Sequence, residues 1–594
     1  MSSQYLTALV LRDLNIGIVG GGIAGLYTAL LLQRQGHQVR IFEGSGRIGG
    51  RVHTHYFTTE KNQYYEAGAM RIPNSDFHQI IFQLIDYINT DAKVPESKKI
   101  KLIDYIMSDP GNDVFLNNIR PDIQAFSVTP ASIGWDVPSE YRDKTASDLL
   151  TQAIGGCISS LKDNFDQGFK DIVEMYDNFT FRFYCTAVMN WPSEVVDFVE
   201  TVTSQTNQFS LSVPELVMQH MDFGETSWKT IDEGMSRLPQ AMAHLIGLAN
   251  ITFGARVVGL ENIDDHHVRV TTSGYNGLLT ATFDRVVLAI PPAALRMIAD
   301  RPRWSAEKEM AIRSMHFEAL YKMGMRFKTR FWEHVTPGPS NGGQSTTDLP
   351  IRWVVFPSNG CKEDGPGVLL VYAWMTDANN WLSLSALERR SLAINCIEKL
   401  YDGRKDDRNN IINVGDLLIE TSDAIWSTST ATGDAMFLPG QFSKHFDNAR
   451  RHEGNIYFAG EHLSYHHTWL SGAARSALDV TRDMLQDKAL SPLNKATTGK
   501  GRPYVFIPKD RAPAKENGAA KVPFKYGQDH SRLVRRWPPI HSPEVPREVL
   551  NHEYNFPTNL GISQHALGPS IANLKAPNTI SITELNGTPE LTNV

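Results

Sequence analysis

The feature that most constrains the fold is a glycine-rich turn, GGGIAG at residues 20–25, placed between an apolar run and a helix-forming segment. The β-branched run at residues 16–19 suits a buried parallel strand, and residues 26–35 carry good helix formers. A second apolar strand follows at residues 38–42 and ends beside Glu43. This order predicts a strand–helix–strand unit at the start of a doubly wound parallel sheet.

The spacing of the glycines indicates a dinucleotide site at this turn. The first glycine permits the tight turn, the third lets the backbone approach a pyrophosphate, and the last lets helix and strand pack closely. Glu43 lies about 20 residues further on, where a carboxylate can accept hydrogen bonds from ribose hydroxyls. The predicted cofactor contacts of the turn are Gly20, Gly22, Ile23, Ala24 and Gly25.

Bulk properties exclude several classes of protein. A chain of 594 residues exceeds the size of one hydrophobic core, so we expect two or three domains. The net charge of -7 argues against nucleic acid as a partner. Four scattered cysteines, without a CxxC pair or histidines at zinc spacing, predict neither a disulfide scaffold nor a metal site. No apolar run approaches the ~20 residues of a membrane span. The N-terminus lacks a cationic signal region, so we expect an intracellular, cytoplasmic protein.

The pattern changes twice along the rest of the chain. Residues 140–232 carry apolar runs at helical spacing, such as residues 193–202, and predict a helical insertion. From about residue 487 onward Pro, Gly, Asn and Lys dominate, which predicts an irregular extension outside the core. Between these regions, strands are predicted at residues 250–258, 285–290, 351–356, 367–372 and 455–459, and a helix at residues 472–485.

A second glycine-rich segment, RIGGR at residues 47–51, also carries two arginines and favours FAD over NAD as the cofactor. Arg47 and Arg51 can neutralise a pyrophosphate, and Gly50 allows close backbone approach to a bulky cofactor. The segment resembles the RxGGR motif of the flavin amine oxidase family.

The resemblance extends through much of residues 14–487. Residues 228–239 look like the family's GGMxxLP segment, and Val257 matches the position whose backbone meets the adenine. The YFAGEH sequence at residues 457–462 resembles the second FAD signature, in which Gly460 and Glu461 are expected to meet the cofactor. The resemblance implies FAD, and the absence of cysteine from residues 461–472 implies that it is bound non-covalently.

This resemblance implies an α/β and α+β fold with a Rossmann-type FAD-binding domain, a mixed-sheet substrate domain and a helical insertion. The predicted domains are FAD-binding at residues 12–73, 240–318 and 426–487, substrate-binding at 74–139 and 319–425, helical at 140–239, and a C-terminal extension at 488–594. Dimers are common in the family, which implies a homo-oligomer.

One segment points to a substrate class within the family. The GAMRIP sequence at residues 68–73 looks like the GxMRxP of L-amino acid oxidases from snake venoms and fungi, where the arginine binds the substrate carboxylate. A bidentate guanidinium suits a buried carboxylate, and a simple amine has no use for it. The resemblance assigns this role to Arg71. It implies that Tyr372 donates a second hydrogen bond to the same carboxylate and that Met70 contacts the flavin.

The resemblance also assigns residues to the flavin face. Lys322 matches the lysine that holds a water near the flavin across the superfamily, and Trp426 and Trp469 match tryptophans that flank the flavin ring and the substrate. Thr468 stands where the venom enzymes carry glycine, so the flavin contact there is expected to differ. His466 and His467 lie nearby, and packing or polar lining is the interpretation we favour over a catalytic base.

The predicted reaction is the oxidative deamination of an L-amino acid by O2 to a 2-oxo acid, ammonia and hydrogen peroxide. Asp434 and Trp374 match positions near the substrate side chain, and a buried carboxylate at 434 favours a basic side chain, with broad specificity for large side chains as the alternative. Other readings remain open: a decarboxylating amino-acid 2-monooxygenase, a polyamine or monoamine oxidase, and a non-catalytic flavoprotein scaffold.

Overall fold

The structure is a computed structural model. It describes residues 13–203, 206–274, 277–427 and 432–495. The predicted C-terminal extension lies outside the described residues from residue 496 onward.

The described residues contain strands and helices with the following bounds. The strands are β1 Asn15–Val19, β2 Gln38–Phe42, β3 Thr54–Tyr56, β4 Tyr64–Glu66, β5 Ile72–Pro73, β6 Leu102–Asp104, β7 Val114–Phe115, β8 Trp228–Ile231, β9 Ile251–Thr252, β10 Arg256–Asn262, β11 Val268–Gly274, β12 Gly277–Phe283, β13 Arg285–Leu288, β14 Leu320–Phe327, β15 Val335–Thr336, β16 Gln344–Thr347, β17 Trp353–Val355, β18 Gly367–Trp374, β19 Lys405–Asp406, β20 Leu418–Trp426 and β21 Ile456–Phe458. The helices are α1 Ile23–Arg34, α2 Gln79–Thr90, α3 Ala146–Asp163, α4 Phe165–Tyr176, α5 Phe181–Phe183, α6 Ser193–Val202, α7 Val213–Phe223, α8 Arg237–Ile246, α9 Pro292–Arg296, α10 Ala306–Ser314, α11 Met375–Leu382, α12 Ala386–Leu400, α13 Val414–Leu417, α14 Asp447–Arg450 and α15 Leu470–Leu485.

A five-stranded parallel sheet forms the first part of the core. Its strand order is β21-β13-β1-β2-β9, with β1 paired to both β2 and β13. Helix α1 packs against α8 and α15 beside this sheet. The apolar side chains of β1 and α1 are buried together, since a parallel sheet covered by helices removes both faces from water. The predicted strand–helix–strand start is confirmed, and the fold class is the one expected.

A six-stranded sheet forms the second part, in the order β20-β14-β18-β17-β16-β7. Strand β14 lies between β20 and β18 and is antiparallel to both. All eight residues of β18 are buried, which fits a central strand covered on both faces. The register places Lys322 opposite Tyr372, and Leu320 opposite both Trp374 and Trp426. The pairing therefore brings together residues from three distant parts of the sequence.

Two sequence predictions are wrong in detail. Residues 250–258 do not form one strand, because the chain turns at Gly254, whose φ of +60° is in the left-handed region. Strand β9 before the turn joins the parallel sheet, whereas β10 after it joins a separate antiparallel sheet with β11 and β12. The region 140–239 is mainly helical, as predicted, but it also contains β8, which pairs with β5 and β6.

The predicted boundary at residue 488 also needs correction. Leu490 and Leu493 are buried at 3% and 0% exposure in the same apolar cluster as α1 and α15. The Leu493 backbone N–H donates to the Tyr27 hydroxyl at 3.0 Å, and Arg482 donates from Nε to the Leu490 carbonyl at 2.9 Å. The first residues after 487 thus belong to the core. Within the described residues, no helix combines the length and apolar character that crossing a bilayer requires.

Candidate active site

A cavity lies between the glycine-rich turn, strands β14 and β18, and the N-terminus of α15. It brings together residues that are separated by up to several hundred positions in the sequence. Eighteen of the predicted site residues line it: Gly20, Gly22, Ile23, Ala24, Glu43, Gly50, Arg51, Met70, Arg71, Lys322, Tyr372, Trp374, Trp426, Asp434, Gly460, Glu461, Thr468 and Trp469.

Three predicted cofactor residues are not among the described residues that line this cavity. Gly25 lies beneath the turn, where a Cβ would stand 2.0 Å from the Gly20 carbonyl oxygen. Arg47 lies with its guanidinium carbon 5.9 Å from the centre of the Trp426 ring. Val257 is buried on β10. Gly25 therefore acts through close packing, as predicted, and the ligand contacts of Arg47 and Val257 stay predictions.

The glycine-rich turn has the geometry that its sequence indicates. Gly20 has a φ of +104°, and a Cβ there would lie 2.5 Å from the Ala289 carbonyl oxygen. A Cβ at Gly22 would meet no atom within 4 Å, so the backbone is open to the cavity. Gly22 is the N-cap of α1 and supplies no side chain to cap it. The first N–H groups of α1 thus remain available to an anion, which the helix dipole also favours.

The Glu43 carboxylate is already used in part by the protein. Its Oε2 accepts from the Gly21 N–H at 2.7 Å, and its Oε1 accepts from the Ser45 N–H and hydroxyl at 2.8 and 2.7 Å. These bonds fix the carboxylate at the end of β2, where it lines the cavity. A carboxylate has about four lone-pair sites, so acceptor capacity for a ribose remains.

Arg51 and Glu461 form an ion pair across the cavity, with 2.6 Å between Nη1 and Oε1. Glu461 also accepts from the backbone N–H groups of Ala435 at 3.2 Å and Thr468 at 3.0 Å. Burial alone would raise the pKa of this carboxyl, but Arg51 and His467 hold it below its usual value. Arg51 was expected to neutralise a pyrophosphate, whereas in the structure its charge already has a partner within the protein.

Thr468 has a φ of +73°, a conformation that favours glycine. Its N–H bond to Glu461 requires this turn of the backbone. The strain explains why a glycine is the natural residue for the position, in agreement with the departure noted in the sequence.

Arg71 is a buried arginine on the cavity wall. Its side chain is 5% exposed, and its guanidinium carbon lies 5.0 to 5.7 Å from the ring centres of Phe223, Tyr105 and Trp228. Its Nη1 donates a weak hydrogen bond to the Met107 sulfur at 3.6 Å. Among the residues that the structure describes, no carboxylate lies within ion-pair distance of Arg71. A buried cation of this kind is costly unless an anion joins it.

Tyr372 and Lys322 form a cross-strand pair beside Arg71. The ammonium of Lys322 lies 4.5 Å from the Tyr372 ring centre and donates to the carbonyls of Glu66 at 3.3 Å and Gly68 at 2.5 Å. Burial, with a contribution from Arg71, lowers the pKa of Lys322 to about 7. Burial and the nearby Asp434 raise the pKa of Tyr372 well above its usual value, so its hydroxyl keeps its proton. Tyr372 can therefore donate to a carboxylate.

Three tryptophans line the cavity and differ in how their indole N–H groups are satisfied. Trp426 donates to the Ala67 carbonyl at 2.6 Å, which fixes its ring. The Nε1 atoms of Trp374 and Trp469 are buried and have no hydrogen-bond partner among the described residues. Buried donors of this kind are rare in folded proteins, and those that face a ligand cavity are suited to ligand acceptors.

Asp434 lines the cavity and lies beside Glu318, two residues before the start of β14. Its backbone is held by the bond from the Glu318 N–H to its carbonyl at 2.9 Å. Burial and the neighbouring Glu461 raise the pKa of the carboxyl to about 7, against the opposing effects of Arg51 and Lys322. Within the described part of the chain, no cation lies within ion-pair distance of it.

His466 and His467 do not line the cavity, which agrees with a packing role. His466 donates from Nδ1 to Asp222 at 2.8 Å, and His467 from Nδ1 to Glu215 at 2.7 Å. His78 joins the first pair, since its Nε2 lies 3.5 Å from Asp222. His78, Asp222 and His466 offer ligand atoms within 4.8 Å of one another, a cluster that the sequence pattern did not reveal. In the structure both imidazoles contact the Asp222 carboxylate.

Sequence reasoning missed several lining residues. Phe223 follows Asp222 at the end of α7 and covers Arg71, and Leu320 on β14 lies between Trp374 on β18 and Trp426 on β20. His462 follows Glu461 in the second signature and has a buried Nδ1 without a partner. Burial lowers the pKa of His462 to about 3, so the ring is neutral. Only His462 carried a signal in the sequence, its place in the motif.

The residues present fit a flavin dinucleotide. The open backbone at Gly22, the uncapped N-terminus of α1 and the carboxylate of Glu43 match the needs of pyrophosphate and ribose. The same cavity is lined by Arg71, Tyr372 and Lys322, so groups suited to a substrate lie beside those suited to the cofactor.

Comparison with known proteins agrees with this geometry. Residues 23–485 match the family model of the flavin containing amine oxidoreductases, and the chain belongs to that family. A flavin cofactor and oxidoreductase chemistry on amines follow from this membership.

Similar sequences include L-amino-acid oxidases of snakes. That of Crotalus adamanteus is 28% identical over 472 residues, covering 79% of this chain and 86% of the relative. A Dictyostelium discoideum protein, named as a bifunctional amine oxidase, is 30% identical over 524 residues; the match covers 83% of this chain but 48% of the relative. Among solved structures, putrescine oxidase bound to putrescine superposes with a TM-score of 0.57 at 17% identity, covering 80% of this chain and 99% of that chain. The last comparison shows a shared fold.

Proposed function

We propose that the protein is an L-amino acid oxidase with non-covalently bound FAD, which converts L-amino acids and O2 to 2-oxo acids, ammonia and hydrogen peroxide. The names of similar snake proteins support the substrate class. None of the four cysteines lines the cavity, which supports non-covalent binding.

The observation that carries the proposal is the unpaired guanidinium of Arg71. A buried charge without a partner is costly, and it persists where a ligand supplies the opposite charge. The substrate α-carboxylate is such an anion, and a guanidinium binds it with two parallel hydrogen bonds. A simple amine offers no group that would satisfy Arg71.

The residues around Arg71 complete a binding site for the reacting end of an amino acid. The Tyr372 hydroxyl donates a hydrogen bond to the same carboxylate and limits rotation of the substrate. Lys322 uses two donors on backbone carbonyls and has one left for a water or ligand in the cavity. Trp426, fixed by its bond to Ala67, and Trp469 exclude water from the space around the α-carbon. A flavin held by this cavity would provide the hydride acceptor and the route of electrons to oxygen.

The test is a peroxide-coupled assay of the purified flavoprotein with all twenty L-amino acids, several D-enantiomers and simple amines. Peroxide from L-amino acids, with little from the D-forms and amines, is the expected result. Turnover of amines alone would overturn the assignment of Arg71.

A decarboxylating 2-monooxygenase would bind its substrate through the same two residues, Arg71 and Tyr372, which together form a carboxylate clamp. The two reactions differ in their products, since the oxidase releases a 2-oxo acid and ammonia whereas the monooxygenase releases an amide and carbon dioxide. Product analysis by mass spectrometry therefore separates them, and an amide as the main product would replace the proposal.

A further inference from the structure

The cavity wall along β14 has a charged residue at one end and the carboxylate clamp at the other. Asp434 lies beside residue 318, Trp374 and Trp426 flank Leu320, and Tyr372 lies opposite Lys322. Asp434 contributes to the raised pKa of Tyr372 and opposes the lowering of the pKa of Lys322, so its carboxylate lies near enough for one ligand to reach both ends of this wall. The wall therefore has two polar ends with an apolar middle.

Asp434 has no charge partner within the described protein. Lys322 directs its donors to the Glu66 and Gly68 carbonyls, and Arg51 is paired with Glu461. The other two carboxylates that line the cavity, Glu43 and Glu461, are held by donors of the protein. Asp434 is thus the lining carboxylate that remains available to a ligand cation.

The backbone fixes where this carboxylate can be. A Cβ at Gly433 would lie 1.8 Å from the Glu318 carbonyl oxygen, so the chain passes too close for any other residue there. A bridge between Phe317 and Ala435 holds the other side. The side chain of Asp434 is consequently presented to the cavity from a rigid position, which favours a specific role in binding.

Resting on the proposed function, we propose that the site selects L-amino acids with a long side chain that ends in a cation, such as lysine, ornithine or arginine. The α-carboxylate binds at Arg71 and Tyr372, the aliphatic stem lies along Trp374 and Trp426, and the terminal cation pairs with Asp434.

The test compares L-lysine with L-norleucine, which has a similar aliphatic stem but no charge. The wild-type holoenzyme is expected to prefer L-lysine. Asp434→Asn should lower kcat/KM for L-lysine by about 10- to 100-fold, as expected for loss of a buried charge pair, and change that for L-norleucine by less than roughly threefold. Glu318→Gln is the matched control, because this acid lies next to Asp434 but bonds His316 at 2.7 Å and does not line the cavity.

The other outcomes overturn the inference in different ways. An equal loss with both substrates would mean that Asp434 acts on the α-amino group or on the cavity as a whole. A wild-type preference for norleucine, with normal turnover, would overturn the side-chain assignment and leave the oxidase intact. If the wild-type flavoprotein oxidises no L-amino acid, the proposed function itself fails.

Discussion

Replacement of Arg71 by methionine separates the binding role of this residue from a structural one. The guanidinium is buried among Phe223, Tyr105 and Trp228 and has no anionic partner among the described residues. Methionine fills much of the same volume without the charge. We therefore expect Arg71→Met to keep the fold and the flavin while it loses the substrate.

The magnitude follows from the interactions that a bound carboxylate would make. Hydrogen bonds to charged groups contribute about 1.5–3 kcal/mol each, so two bonds to the guanidinium contribute about 3–6 kcal/mol. At 1.36 kcal/mol for each factor of ten, kcat/KM for L-amino acids should fall by about 10²- to 10⁴-fold. The thermal midpoint should change little, because removal of an unpaired buried charge offsets the loss of its contacts with the aromatic rings.

The assay is peroxide production as a function of L-amino acid concentration, with flavin content measured from the visible absorbance of the same sample. Arg330→Met is the matched control: Arg330 is equally buried but donates to Glu333 at 2.7 Å and does not line the cavity. This control should lower the thermal midpoint and leave KM unchanged. Amino acid turnover by Arg71→Met within roughly threefold of wild type would refute the carboxylate clamp.

Three further predictions concern the turn, the pH dependence and the chain end. Gly25→Ala should abolish flavin binding, because its Cβ would stand 2.0 Å from the Gly20 carbonyl oxygen; a yellow protein with normal flavin content would contradict this. The pKa of Asp434 is raised to about 7, so the carboxyl is neutral below that pH and charged above it. KM for L-lysine should therefore fall as pH rises through 7, an effect that Asp434→Asn should remove and that norleucine should not show in a pH series. Truncation before residue 488 should cost about 3–5 kcal/mol of stability, since Leu490 and Leu493 are buried, whereas truncation after residue 495 should preserve both melting temperature and turnover. Equal behaviour of the two truncated proteins would refute the corrected boundary.

The cofactor region could be predicted from the sequence because its determinants are local. A strand, a turn with glycines at fixed spacing and a helix follow one another within residues 15–34, and each needs only its neighbours to take its form. The second strand and Glu43 complete the unit with little intervening chain. The resemblance to the flavin amine oxidases rests on such contiguous motifs, which is why the family was evident before the structure.

The sequence pattern does not locate the boundary between two elements that share one apolar run. Residues 250–258 read as one strand, yet the left-handed turn at Gly254 sends β9 and β10 to different sheets. Leu490 and Leu493 lie in a segment whose composition suggests an irregular tail, but the core has space for them beside Tyr27. Composition describes a segment by itself, whereas burial depends on what the rest of the chain leaves uncovered.

The chemical groups of the site can be found in the sequence: the glycine-rich turn, Arg71, Tyr372, Lys322 and Asp434. Which of the charged groups are paired within the protein depends on the fold. Arg51 is paired with Glu461, 410 residues away, whereas Arg71 and Asp434 have no ion-pair partner among the described residues. The physical reason is that the cost of a buried charge depends on its partners in space, and antiparallel pairing of β14 with β18 and β20 sets those partners across distances that no sequence pattern encodes.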